Sequence, residues 1–423
     1  MSSLDRRSFL GLSLGSLAAA SYGAVGCAKE SPSSKTGSRP DTFFLTWQRD
    51  PTTTMTVQWV GPAVDVSTVP IICEPAGKAQ GVARTATTVS RPYPDTKLHL
   101  HRAELTGLTP GTEYQFRIGK QPLTHRFRTM PAKMTDSFTF VSGGDCGTSE
   151  HAINNNINAA RQNPMFAMIG GDLGYDNGRI ADVSLDFLTN YSRHMVDSEN
   201  RLIPMVVCMG NHEVNGSYGK TRKDAPYFFA CHDGLYAERS FATLDFGDYL
   251  SLVLLDTGHV APIDGEQTDW LGKALAERQG LAHVIAVNHV PAYPSYRAFE
   301  SSGNHEGTGH LNRECWAPLF EKHNVDVVLE HHDHTFKRTH PIKGGLVDKN
   351  GVTYLGDGSW GKLRAPKTPE ERPYLAAVSQ AYHMTVHRLE GEQRFHMAMA
   401  DSGRIVDVCM TGKRPQRAMG RGA

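Results

Sequence analysis

Five short apolar runs in this chain each end in side chains that offer oxygen or nitrogen, and this repetition limits the fold more than any other feature. Phe138 to Ser142 is followed by Gly143-Gly144-Asp145-Cys146-Gly147, and Met165 to Ile169 by Gly170-Gly171-Asp172-Leu173-Gly174-Tyr175. Met205 to Met209 precedes Gly210-Asn211-His212-Glu213, His283 to Asn288 ends in His289, and Val325 to Leu329 runs into Glu330-His331-His332-Asp333-His334. Runs this short and this rich in β-branched and aliphatic residues read as buried strands. Two more follow the pattern, Tyr249 to Leu255 and Val352 to Leu355, and helical stretches lie between, including Gln267 to Arg278 and Arg313 to His323. Trp270, Leu271 and Leu275, and likewise Trp316, Leu319 and Phe320, would form the buried faces of those helices. His383 to Leu389, Arg394 to Ala400 and Arg404 to Met410 read as closing antiparallel strands. The pattern predicts an α/β domain whose polar residues gather at the carboxyl ends of its strands, where open α/β sheets build their sites.

The residue types point to metal. His332 and His334, spaced i, i+2 just after a strand, can aim both imidazoles into one cavity. Two Asp, one Asn, one Tyr and three His are too many donors for one ion, and a carboxylate such as Asp172 can bridge two cations, the geometry used in phosphoryl chemistry. Glycine precedes Asp145, Asp172 and Asn211, where a bulky side chain would obstruct the turns around the ions. Glu213 reads instead as a residue that orders its loop or an adjacent histidine.

Residues 41–131 have a different rhythm. Phe43 to Trp47, Met55 to Val60, Leu98 to Leu105, Glu113 to Ile118 and His125 to Thr129 read as strands separated by turns at sandwich-like intervals. The corner Leu105-Thr106-Gly107-Leu108-Thr109-Pro110-Gly111-Thr112-Glu113-Tyr114 resembles that of fibronectin type III-like domains. Lys and Arg number 44, as do Asp and Glu, so no general electrostatic attraction to nucleic acid follows. The 41 Gly and 20 His suit loop-built sites.

The first 28 residues read as an address. Asp5-Arg6-Arg7-Ser8-Phe9-Leu10 and the mildly apolar run to Gly26 resemble a twin-arginine export signal, and Ala24-Val25-Gly26-Cys27 is a degenerate lipoprotein box. Cys27 is therefore a candidate lipid anchor, the only membrane attachment expected, before a polar linker at residues 29–40. The six remaining cysteines show no recognisable disulfide framework. A flexible basic tail is expected over residues 412–423.

Taken in order, the five blocks are similar to those of the metallophosphoesterase superfamily, and Tyr175 with the all-β N-domain narrows the resemblance to purple acid phosphatases. It implies an α/β metallophosphoesterase four-layer sandwich (α/β/β/α) over residues 136–411, preceded by an all-β fibronectin type III-like sandwich. The implied cofactor is a dinuclear centre. Its ferric site would use Asp145, Asp172, Tyr175 and His334, and its divalent site, holding Zn, Mn or Fe, would use Asp172, Asn211, His289 and His332. A metal-held hydroxide would attack the phosphorus of a monoester, with His212 protonating or stabilising the leaving alkoxide and Asn211, His212 and His305 contacting substrate. The last block departs from the family's Gly-His-x-His: His331 stands where glycine is usual and either crowds the turn or joins the site, and it is read as a neighbour. Asp357 is read as structural. A phosphodiesterase on the same scaffold and a non-catalytic, surface-tethered binding protein remain as alternatives.

Overall fold

The computed structural model describes residues 42–412 except 78–81, 123–124, 135–136, 300–307, 326 and 357. The export signal, Cys27, His305, Asp357 and the basic tail lie outside the described residues.

In the N-terminal region two four-stranded antiparallel sheets form. One takes the order Phe44–Thr46, Met55–Gly61, His99–Leu105, Val89–Pro92, and the other Arg84–Ala86, Ile71–Pro75, Glu113–Ile118, His125–Arg128. Alternation decides which side chains enter: along Glu113–Ile118, Tyr114, Phe116 and Ile118 are buried while the residues between them are only partly covered. The corner expected at residues 105–114 is present, with the Thr109 N–H donating to the Tyr114 hydroxyl at 2.8 Å.

Further along the chain two larger sheets form. The six-stranded sheet runs Met205–Val207, Ala167–Ile169, Phe138–Gly143, His383–Glu390, Gln393–Ala400, Ile405–Gly412; its first three strands are parallel and the rest antiparallel. The seven-stranded sheet runs Ala242–Phe246, Leu250–Leu254, His283–Val287, Val327–Glu330, Thr353–Gly356, Phe336–Thr339, Leu375–Ser379, with four parallel strands at its centre. Helices Glu150–Ala160 and Ala181–His194 pack together beside the first sheet. Helix Glu266–Glu277, the π-turn Asn312–Trp316 and helix Ala317–Lys322 cover the second, burying Leu271, Leu275, Trp316 and Phe320 against Val253, Ala286 and Val328. Trp270 and Leu319 pack at the edge of that cluster. The result is the expected helix, sheet, sheet, helix layering.

The helix expected from Arg313 begins earlier, at Thr308, and passes through a π-turn over Asn312–Trp316. Pro318, just beyond, has no N–H to close the ordinary i→i−4 ladder, and the Ala317 N–H reaches back to Asn312 O instead. The N-terminal sandwich is docked by an aromatic plug and polar ties. Trp47 meets Phe166 and Phe246 edge-on at 6.1 and 5.8 Å. Gln58 Nε2 donates to Cys231 O at 2.9 Å, and Arg102 Nη1 lies 2.7 Å from Asp233. All six described cysteines are free thiols, and Cys146 is buried.

Candidate metal centre

Past the ends of their strands, the loops at Asp145 and Asp172 remain in register. Gly170 N–H donates to Gly143 O at 2.7 Å, Asp145 to Gly171 O at 3.0 Å, Cys146 to Asp172 O at 2.9 Å and Gly147 to Leu173 O at 2.7 Å. This extended ladder sets the two aspartates side by side. The second sheet does the same with His331 N–H donating to His289 O at 2.9 Å. One donor atom from each of Asp145, Asp172, His289 and His332 lies within 4.8 Å of the others, and all four residues are buried. Tyr175 OH is 3.3 Å from Asp145 Oδ1 and 3.1 Å from His334 Nε2, which is 3.0 Å from that same Oδ1. On the other side Asn211 Oδ1 lies 3.2 Å from His289 Nε2, and His332 Nδ1 lies 3.0 Å from it. His305 is not among the described residues, and the structure does not place it.

Asp145, Asp172, Tyr175, His332 and His334 all adopt left-handed backbone, with φ from 53° to 76°. Asp and His accept this conformation more readily than other residues, but it still costs on the order of 1 kcal/mol at each position. Tyr175, at φ 64°, is the bulky exception. Strain repeated through one loop cluster marks a site rather than a scaffold.

The glycines have specific neighbours. A Cβ on Gly210 would sit 2.4 Å from Asp172 Oδ1, and one on Gly171 2.6 Å from Gly210 N. At Gly358, outside the five strand-end blocks, it would lie 1.7 Å from Asp145 Oδ2. The His331 ring fills the space in front of Gly144 and Gly170, where added Cβ atoms would come within 2.8 and 1.9 Å of it. Its Nδ1 faces Asn288 O at 3.1 Å. His331 is therefore a wedge behind both Gly-Gly-Asp turns, and the glycines accommodate it.

Other residues hold these groups in position. Glu213 accepts from Asp172 N at 2.8 Å, Leu173 N at 2.7 Å and Gly210 N at 2.7 Å, tying two loops together as expected of it. His289 Nδ1 faces Gly170 O at 2.8 Å, which leaves Nε2 toward the cluster. His212, a third exposed, bonds Asn177 Oδ1 through Nδ1 and keeps Nε2 3.9 Å from Asp172 Oδ2. Asn177 was not foreseen, because Asn177-Gly178 reads only as a turn.

The electrostatics ask for positive charge. Burial alone would lower the His289 imidazole, yet Asp172 beside it raises its pKa to about 9. Burial opposes the Asp172 charge, but His289, His212 and His332 hold it well below the carboxylate range. Burial, then Asp172, pushes Glu213 up to about 8. Asp172 Oδ2 is fully buried and has no hydrogen-bond partner. An orphaned carboxylate oxygen beside His289 and His212, whose Nδ1 atoms are already engaged, is a donor set that fits a cation.

Comparison with known proteins agrees with the geometry. The family described as "Purple acid Phosphatase, N-terminal domain" matches residues 40–140, and "Calcineurin-like phosphoesterase" matches residues 138–336. Acid phosphatase type 7 of Mus musculus is 26% identical over 87% of this chain and 90% of its own length. Purple acid phosphatase 21 of Arabidopsis thaliana is 23% identical over 64% of this chain and 62% of its own. In fold, a purple acid phosphatase from yellow lupin seeds covers 88% of this chain and 74% of its own at TM-score 0.68 and 17% identity. The structure of PhoD covers 90% and 92% at TM-score 0.62 and 14% identity. With a sandwich domain matched at one end and a strand-end donor cluster on the matched phosphoesterase fold, the chain is a purple acid phosphatase-like metallophosphoesterase, a member of a family of phosphate-ester hydrolases.

Proposed function

We propose that this chain is an exported acid phosphatase that hydrolyses phosphate monoesters at a two-metal centre. Asp145, Tyr175 and His334 would hold a ferric ion, Asn211, His289 and His332 a divalent one, and Asp172 would bridge them. The observation that carries this is Asp172 itself, a buried carboxylate between the two donor groups with one oxygen unpartnered. Bound metals would supply Lewis acidity toward a phosphoryl oxygen and lower the pKa of water so that a nucleophile is available below neutrality.

The chain's own residues do the rest. Asn177 fixes the ring of His212, leaving Nε2 on the accessible side as the group that holds a phosphate oxygen or protonates the departing alkoxide. The His212 N–H donates to Asp172 Oδ1 at 2.8 Å, so the proton donor and the bridging carboxylate keep a fixed relation. The Gly170 carbonyl holds the His289 ring and the Asp145 carboxylate meets that of His334, which keeps these two rings in place while charge develops. Export by the twin-arginine route is supported by Arg6-Arg7 and the run after it. No helix among the described residues is long and apolar enough to cross a membrane.

The test compares p-nitrophenyl phosphate with its bis-ester across pH on metal-loaded protein. Preference for the monoester in acid supports the proposal, and preference for the diester replaces it with a phosphodiesterase. Tyr175→Phe should abolish a visible charge-transfer band, and an unchanged band would refute the ferric-tyrosinate assignment.

A further inference from the structure

The segment after strand Thr353–Gly356 touches site loops of both sheets. Trp360 N–H donates to Gly144 O at 3.1 Å, Gly361 N–H to Asp145 O at 3.0 Å and Arg364 N–H to His334 O at 2.7 Å. Asn155 Nδ2 holds Trp360 O at 2.7 Å. A Cβ on Gly361 would lie 1.8 Å from Cys146 O, so only glycine allows this approach. Two cations are thereby fixed beside the Asp145, Tyr175, His334 side of the site. Lys362 Nζ lies 4.2 Å from the Tyr175 ring centroid, and Arg364 Cζ lies 4.9 Å from that of Tyr296, itself 41% exposed.

The surrounding cations are already engaged. Arg297 lies 3.0 Å from Asp333 Oδ1, Lys367 bonds Glu371 at 2.9 Å, and Arg372 holds the carbonyls of Pro294 and Arg297. Lys362 and Arg364 pair with no carboxylate among the described residues. Acids and bases are equal in number in this chain, so composition does not force two unpaired cations to the rim of a buried site. Ring stacking holds an arginine by its face and leaves its N–H edge available for an anion.

We propose that the physiological substrate carries a second anionic group beside its scissile phosphate, a carboxylate or a further phosphate, seated by Lys362 and Arg364. This rests on the monoester reading above and narrows its substrate class.

The experiment uses four phosphate esters with leaving groups of similar size: ethyl phosphate, phosphoethanolamine, phosphoglycolate and the bisphosphate of ethane-1,2-diol. On the metal-loaded full chain, kcat/KM should be about tenfold higher for the anionic pair than for ethyl phosphate, with phosphoethanolamine lowest. Whichever of phosphoglycolate and the bisphosphate is preferred identifies the second group. Lys362→Gln and Arg364→Gln should each shrink that preference, mainly through KM, and Arg364→Lys should keep most of it. In calorimetry, phosphonoacetate should bind the unaltered protein more tightly than ethylphosphonate, and the two should converge in Arg364→Gln. Turnover of all four esters without charge preference, or a preference unchanged in both glutamine variants, would overturn the proposal. Absence of any turnover would overturn the phosphatase reading instead, and the calorimetric comparison would then decide the anion seat alone.

Discussion

Two buried histidine centres flank one strand, Phe138–Gly143, and they are built in opposite ways. At its carboxyl end lie His289, His332 and His334 with Asp145 and Asp172. Along its side lies the pair His387 and His396, whose Nδ1 atoms are 2.7 Å apart. His387 Nε2 meets Ser142 Oγ at 2.7 Å and His396 Nε2 meets Thr411 Oγ1 at 2.9 Å, so all four ring nitrogens have partners and no carboxylate takes part. His387 also stacks on Phe140 at 4.5 Å. The first centre has left-handed backbone, an unpartnered carboxylate oxygen and, at His289, a ring pre-set by a backbone carbonyl. Burial of histidine is common to both, so burial does not signal metal. The signal is buried negative charge that protein donors leave incompletely satisfied.

The sharpest way to break this contrast is at Asp172. Asp172→Asn removes the bridging charge and should lower phosphatase activity and metal affinity by more than about 10²-fold, above the range typical of residues that only orient ligands. Glu213→Ala comes next. It strands three buried N–H groups and should cost on the order of 3 kcal/mol in denaturant unfolding, with a roughly 10- to 100-fold loss of metal affinity by competition titration. Gly170→Ala drives a Cβ into the His331 ring and should cost about 1–3 kcal/mol. Adding His331→Gly should recover most of that loss, and a double variant no more stable than the single one would remove His331 from its role as a wedge.

The smallest effect is in the closed centre. Burial holds His387 at about 3, and burial with its neighbour His387 holds His396 well below the ordinary value. Above a pH of about 6.5, where unfolded histidine is also neutral, the pair costs nothing by linkage. As pH falls below that value the unfolded chain binds protons that the folded pair refuses, so stability declines toward pH 3. The loss should be on the order of 1 kcal/mol per pH unit for each histidine between pH 6.5 and 4, and His396→Gln should flatten the slope of melting temperature against pH.

Regular strands with strong alternation were legible in the sequence: Glu113–Ile118 has the expected bounds, and Met55–Gly61 and His99–Leu105 differ from expectation by one residue each. Val89–Pro92, Phe336–Thr339 and Leu375–Ser379 were not, because they are polar, proline-ended or weakly apolar and owe their form to pairing with neighbours. The strand expected at Val325 to Leu329 is formed over Val327–Glu330, which puts Glu330 inside it. At the site, Asp145, Asp172, His289 and His332 were readable because each lies within three residues of a strand end, and Glu213 because it closes the block that follows Met205–Val207. Asn177, Gly358 and the Lys362–Arg364 segment were not, since their parts in the site arise from contacts between distant loops. The histidine count misled as well: taken as a sign of loop-built sites, it includes His232, His383, His387 and His396, all buried outside the cluster.

The central claim is that the strand-end cluster holds two metal ions and the His387–His396 pair holds none. Elemental analysis of the purified full chain tests it most directly, alongside Asp172→Asn and His396→Gln. The account predicts two metal ions per chain in the unaltered protein and in His396→Gln, and their loss in Asp172→Asn. One ion or none in the unaltered protein, or retention of both in Asp172→Asn, would contradict it.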